Sequence, residues 1–223
     1  MSAGYFITGT DTGIGKTFVS CALLHAFAAC GKTVAGMKPV AAGCENGKWE
    51  DVEKLLAASN INISRQQLNS YALNPPLAPH IAAEQAGINI ELKVIRQAYH
   101  ALSNQAEVVI VEGVGGFLAP LNAQQDGADL AQVLGLPVIL VVGMRLGCLN
   151  HALLSVKAIQ ASGLSLVGWV ANCIDPHMMA REENINALAQ RIDCPLLGVA
   201  PFDGATQEQQ LAGLLDISKL AQD

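Results

Sequence analysis

The sequence predicts an α/β fold, a doubly wound and mainly parallel sheet with helices on both faces, and three observations carry that prediction. Short apolar runs recur at residues 5–8, 34–37, 108–111, 138–142, 166–171 and 196–199, and several are apolar on both faces, as strands buried between two helical layers read. The segments between them are longer and carry helical periodicity. With 223 residues, 51% hydrophobic and 14% charged, the chain holds enough apolar material for the core of one domain spanning 1–223.

Taken in order, run 5–8 leads into a glycine-rich turn and an apolar helical segment, 18–29. Run 34–37 ends at Lys38, and a helix is expected over 51–58. Residues 74–79 hold three prolines and read as a rigid irregular loop inserted in the domain. Run 108–111 ends at Glu112. After run 138–142, Leu149, Ala152, Leu153, Val156 and Ile159 mark a helix over Cys148–Ala161 with a packed apolar face. Runs 166–171 and 196–199 complete the sheet. Strand alternating with helix implies right-handed crossovers, and ligands gather at the carboxyl ends of such strands.

The bulk chemistry excludes several classes. A formal charge of −6 and a pI near 5.3, without a Lys/Arg cluster, oppose binding to nucleic acid or to an anionic membrane. The most apolar stretch, 134–144, is broken by Gly135, Pro137 and Gly143 and is far shorter than the roughly 20 residues a bilayer span needs. Six scattered cysteines without a C-x-x-C pair, and an N-terminus without a leader pattern, suit a reduced cytoplasm.

The chemistry is concentrated after the first run, in Gly9-Thr-Asp-Thr-Gly13-Ile-Gly15-Lys16-Thr17. Strand, glycine-rich turn and helix in succession make an anion cradle from backbone N–H groups. Lys16 can reach the β/γ-phosphates of a nucleotide and the Thr17 hydroxyl can ligate Mg²⁺. The match to a P-loop is deviant: Thr10 stands where the strict motif has glycine, and the glycine is displaced to Gly9.

Mg²⁺ on a nucleotide takes one or two carboxylates besides phosphate oxygens. Glu112, at the end of run 108–111 and ahead of Gly113-Val-Gly115-Gly116, would emerge beside the phosphate loop. Asp51 is open by spacing alone, since capping the helix it begins explains it equally well. Lys38 is placed either to hold a second anion or developing charge next to the γ-phosphate or to serve as an ordinary strand-end charge. The five histidines, His25, His80, His100, His151 and His177, show no metal-ligand spacing. Asn172 and Asp175 imitate a guanine reader, but Cys173 replaces the lysine of that motif.

Six segments in order then resemble the motifs of dethiobiotin synthetases, P-loop NTPase-type enzymes: Thr8-Gly-Thr-Asp-Thr-Gly-Ile-Gly-Lys-Thr17, Gly36-Met-Lys-Pro-Val40, Val111-Glu-Gly-Val-Gly-Gly116, Pro137-Val-Ile-Leu-Val-Val-Gly143, Leu146-Gly-Cys-Leu-Asn-His151 and Gly168-Trp-Val-Ala-Asn172. The resemblance implies ATP- and Mg²⁺-dependent carboxylation and ring closure of 7,8-diaminononanoate with CO₂, through a carbamate and a carbamic-phosphoric anhydride, in a homodimer. It implies Thr17, Asp51 and Glu112 as metal ligands and Lys16 and Lys38 as catalytic charges. ATP would be held by Gly13, Ile14, Gly15, Lys16 and Thr17, by Gly113, Val114 and Gly115, and, around the nucleoside, by Asn172, Cys173, Pro201, Phe202 and Asp203. Thr12 and Gly115 would hold the carbamate; Lys38, Ala42, Gly147, Cys148 and Asn150 complete the substrate set. Ala42 departs from the family, whose members commonly carry serine there, so one substrate hydrogen bond is lost.

The competing class is a partitioning or division-site P-loop ATPase switch. Such proteins carry a signature lysine where this chain has Asp11, and a basic terminal helix or face where residues 207–223 are acidic to neutral.

Overall fold

The computed structural model describes residues 2–202 and 206–220. Its elements run β1 (Ala3–Gly9), α1 (Lys16–Ala29), β2 (Val34–Met37), β3 (Val40–Ala42), α2 (Glu50–Ala58), α3 (Arg65–Leu68), β4 (Tyr71–Leu73), α4 (Pro79–Gln85) and α5 (Leu92–Ser103). There follow β5 (Val108–Glu112), α6 (Gly127–Leu134), β6 (Val138–Met144), α7 (Cys148–Ala161), β7 (Leu166–Cys173), α8 (Arg181–Ala189), β8 (Leu196–Ala200), α9 (Glu208–Ala212) and a 3₁₀ turn at Ile217–Lys219.

Six strands form one sheet in the order β2-β5-β1-β6-β7-β8, each pair parallel. All six expected runs are strands of this sheet, four of them extended at their carboxyl ends and β1 at both ends. β5 and β6 are buried along their whole length, which is why they read as continuous apolar runs and not as alternating ones. The chain leaves β1 toward β2 on one side and later returns to β6 on the other, so the order reverses at β1. The crevice of a doubly wound sheet opens at that point, above the carboxyl end of β1.

Two strands were not legible. β3 and β4 make a separate two-stranded parallel sheet of three-residue strands, too short to show a period. The proline-rich segment 74–79 is a loop only up to its last residue: Pro79 is the first residue of α4, a position where its missing N–H is no loss.

The core is continuous between sheet and helices. Leu24 of α1 has no exposed surface, and its Cδ1 lies 3.2 Å from where a side chain on Gly36 of β2 would begin, so helix and strand meet without an intervening layer. Among the described residues no helix is long and apolar enough to cross a membrane. Replacing Leu24 with Ala removes a buried side chain from this contact. It should lower the unfolding free energy by about 2–5 kcal/mol in a denaturant titration, while the fraction still folded retains nucleotide binding.

Candidate active site

Because all six strands of the main sheet are parallel, their carboxyl ends share one edge. That edge collects Gly9, Lys38, Glu112, Arg145, Cys173 and Pro201, each ending a strand or directly following one.

The phosphate loop joins β1 to α1, whose first residue is Lys16. Gly13 and Gly15 hold φ of 73° and 85°, the left-handed region in which a side chain is strained, and these two residues make the turn. Ile14 between them is buried, and its side chain closes against Gly9 and Gly143. Its carbonyl accepts a 2.7 Å hydrogen bond from the buried Asn172 amide at the end of β7. The loop is thus braced from behind, its backbone facing the crevice. Lys16 is mostly buried and donates to the Asp11 carbonyl at 2.8 Å; burial, then the like charge of Lys38, pulls its ammonium down to about 8.

Below the loop lies an ionic cluster. The Lys38 ammonium sits 2.6 Å from Glu112 Oε1, 2.9 Å from Asp51 Oδ2 and 3.2 Å from the Gly113 carbonyl. The Thr17 hydroxyl lies 2.9 Å from both Asp51 Oδ1 and Glu112 Oε1; having a single proton, it donates to one of them at a time. Lys38 and Glu112 are buried, whereas the Asp51 side chain is nearly half-exposed. Burial works against the Lys38 charge, yet Glu112 and Asp51 raise its ammonium above the ordinary lysine value. Burial likewise pushes the Asp51 carboxyl up, but Lys38 and the Thr17 hydroxyl hold it below its usual range. Glu112 Oε2 is buried without a partner.

This geometry speaks against the capping reading of Asp51. It is the second residue of α2, the cap position is Trp49, and the carboxylate bonds Thr17 and Lys38 instead of the helix end. The Trp49 indole N–H, bonded to the Leu73 carbonyl at 2.8 Å, pins that end of α2. Two carboxylates and a hydroxyl, one carboxylate oxygen still unpartnered, form a donor set suited to a hard cation that takes its remaining ligands from phosphate. Among the described residues no group of three or more His, Cys, Asp and Glu forms a metal cluster.

Of the other expected residues, Thr12 and Gly115 face each other: a side chain on Gly115 would begin 3.7 Å from Thr12 Oγ1. Ala42 lines a cavity of about 280 Å³ that also reaches Asp51, Trp49 and Pro76. Cys173 and Pro201 line another, of about 500 Å³, with Met178, Arg181 and Val199. Phe202 is exposed beside it, and Asp203 lies outside the described residues. Gly147, with φ of 94°, precedes α7, and buried Cys148 starts it, its N–H donating to the Arg145 carbonyl at 3.0 Å. Asn150 is exposed and does not cap its own helix, since that position is Gly147.

Sequence reasoning missed two residues. Asn69, buried, donates to the Lys38 carbonyl at 2.7 Å and fixes the main chain that carries the ammonium. Arg145 ion-pairs with Asp11 Oδ2 at 2.5 Å, while Asp11 Oδ1 accepts the Thr12 N–H. The cue that singled out Lys38, a cation closing an apolar strand, applies equally to Arg145. Asn69 offers no such cue, since it follows a four-residue helix.

A phosphate loop at the switch point of a parallel sheet defines a P-loop nucleotide-binding α/β protein, and a family profile described as an AAA domain matches residues 3–210. The septum site-determining protein MinD of Pyrococcus horikoshii, solved with Mg-ADP, aligns with 100% of this chain and 90% of its own at a TM-score of 0.58 and 18% identity. The signal recognition particle receptor FtsY of Elizabethkingia anophelis aligns with 99% of this chain and 64% of its own at 0.56 and 16%. At these identities the likeness is one of fold. Sequence relatives narrow it: the ATP-dependent dethiobiotin synthetase BioD of Nitrosospira multiformis is 63% identical over 99% of this chain and 97% of its own, and that of Aromatoleum aromaticum 56% identical over 95% and 96%. The chain belongs to the family of ATP-dependent dethiobiotin synthetases.

The brace behind the phosphate loop is testable at Gly15. A side chain there would begin 2.1 Å from Asn172 Nδ2, on a backbone already at positive φ. Gly15→Ala should weaken binding of a fluorescent ATP analogue by about tenfold or more, equivalent to at least ~1.4 kcal/mol, with the far-ultraviolet circular dichroism of the wild type.

Proposed function

We propose that this ligase of biotin biosynthesis uses ATP and Mg²⁺ to carboxylate 7,8-diaminononanoate and close its ureido ring, giving dethiobiotin, ADP and phosphate. The observation that supports this reading most is the ionic cluster at the foot of the phosphate loop, in which a buried lysine shares two carboxylates with the Thr17 hydroxyl.

Thr17, Asp51 and Glu112 would hold Mg²⁺, which would neutralise negative charge on the transferring group. The protein's own groups do the rest. One substrate amine adds to CO₂ and, losing a proton, becomes a carbamate held at Thr12 and Gly115. A carbamate oxygen attacks the γ-phosphorus in line, ADP leaves, and the second amine attacks the carbamoyl carbon and expels phosphate. Carbamate and γ-phosphate are both anionic, so their approach needs cations on more than one side. Lys16 on the loop and Lys38 beneath it supply them, and no protein nucleophile is required. ATP's phosphates lie along Gly13 to Thr17 and Gly113 to Gly115, its nucleoside in the cavity at Cys173 and Pro201.

The substrate tail ends in a carboxylate, which suits the N-terminal turn of α7, where backbone N–H groups of a fourteen-residue helix face outward. Leu146, 96% exposed, stands just before this turn, and Leu154, 58% exposed, lies further along α7. Exposed leucines before and along α7 support a second copy of the chain covering this end of the helix, so the enzyme acts as a homodimer, each tail site completed across the interface by Gly147, Cys148 and Asn150; its place is the cytoplasm.

Incubation with ATP, Mg²⁺, bicarbonate and 7,8-diaminononanoate should yield dethiobiotin with stoichiometric phosphate, and ATP hydrolysis should depend on the diamine. Equal hydrolysis without the diamine would favour an ATPase switch. Lys38→Ala should lower turnover by about 10²-fold or more; retained activity would reduce this lysine to a structural charge. Mixing Lys38→Ala with Asn150→Ala subunits tests the shared site. Recovery of activity above both parents is expected, because each mixed dimer then holds one site free of both substitutions, whereas unshared sites give no recovery.

A further inference from the structure

We infer that in the nucleotide-free enzyme the Lys38 ammonium holds the place of the divalent cation, so that the cation enters only together with a nucleotide. The inference rests on the assignment of Thr17, Asp51 and Glu112 as cation ligands made above.

An ammonium has three N–H donors. Here three acceptors meet it, Glu112 Oε1 at 2.6 Å, Asp51 Oδ2 at 2.9 Å and the Gly113 carbonyl at 3.2 Å, so Lys38 is fully bonded and buried. Two of these acceptors belong to the carboxylates that the cation needs, and the third ligand, the Thr17 hydroxyl, bonds the same two side chains. A bare divalent cation approaching the cluster must therefore displace a satisfied ammonium or sit beside it. Displacement leaves a buried lysine with only the Gly113 carbonyl to accept from it. Coexistence sets like charges a few ångströms apart where little water screens them.

Nucleotide phosphates change both terms. They bring the oxygens that complete the coordination sphere of a cation holding only one or two carboxylates. They also bring negative charge to which the Lys38 ammonium can turn, and Lys16, now on the Asp11 carbonyl, has the same destination. One lysine thus serves two states: a tethered counter-ion shared by Glu112 and Asp51 before the nucleotide binds, and a charge on the transferring group afterwards. Asn69 fixes the Lys38 main chain, so the exchange is a movement of the side chain alone.

Mn²⁺, read by electron paramagnetic resonance, is a suitable probe on the full chain. Wild-type protein should bind Mn²⁺ tightly with ADP present and weakly in its absence. Lys38→Met should bind Mn²⁺ without nucleotide at least about tenfold more tightly than wild type, since the competing charge is gone. Thermal unfolding gives a second readout: Mg²⁺ alone should raise the melting temperature of Lys38→Met and leave wild type unmoved. Equal nucleotide-free Mn²⁺ affinity in the two proteins overturns the inference. Should the variant not fold, wild type decides it, and nucleotide-free Mn²⁺ binding as tight as that with ADP overturns the inference. Asp51→Asn and Glu112→Gln keep the two failures apart. If neither weakens Mn²⁺ binding in the presence of ADP, the ligand assignment itself is wrong and the inference falls with it.

Discussion

The pairing of Lys38 with Glu112 is the constraint around which the active edge of this protein is arranged. A carboxylate as buried as Glu112 is tolerated only with a partner, because leaving either member alone typically costs about 3–5 kcal/mol. The pair joins the ends of neighbouring strands: Glu112 closes β5, Lys38 follows β2, and the register sets Met37 opposite Val111, one residue short of both. Strand order and charge pairing therefore require each other. With β2 anywhere else in the sheet, Glu112 would face the interior without a counter-ion.

From that pair the site extends in two directions. Toward α1, Thr17 ties the cluster to the second residue of the helix and hence to the phosphate loop. Toward α2, Asp51 draws in a helix that belongs to the edge of the fold, anchored by Trp49 on β4 and by the packing of Leu55 near Gly36. The small β3–β4 sheet, absent from the sequence reading, carries Ala42 and the floor of the cavity that reaches Asp51. It stands apart from the six-stranded sheet that carries the phosphate loop.

How much was legible follows from the range of each interaction. Fully buried strands have a strong local signature, so all six strands of the main sheet were read, with errors only at their ends. Glu112 was read because a carboxylate closing a buried apolar run has few structural explanations, whereas Lys38, equally plausible as an ordinary strand-end charge, is left open by position and assigned its role only with the family resemblance. Asp51 is left open by spacing, since capping explains its helix-start position equally well, and comes only from the family resemblance; its contact with Thr17, 34 residues away in sequence, speaks against capping. Asn69 was missed for the same reason: its role is to bond a carbonyl 31 residues distant, and nothing near it in sequence announces that. β3 and β4 are too short for periodicity, and they pair only with each other.

The deviant phosphate loop has a local physical explanation. The strict motif places glycine at position 10, where this chain has Thr10. Here that residue does not turn: its N–H donates to the Val141 carbonyl at 3.1 Å, and its hydroxyl lies 3.4 Å from the Gly143 N–H, so it carries the line of β1 one residue further along β6. The reversal falls later, at Gly13 and Gly15, where φ is positive and glycine is required. Asp11 and Thr12, between extension and turn, are steadied from outside by Arg145. An additional glycine at position 10 would make this stretch more flexible without improving the cradle. A hydroxyl that bonds the neighbouring strand keeps the loop in place before any nucleotide arrives.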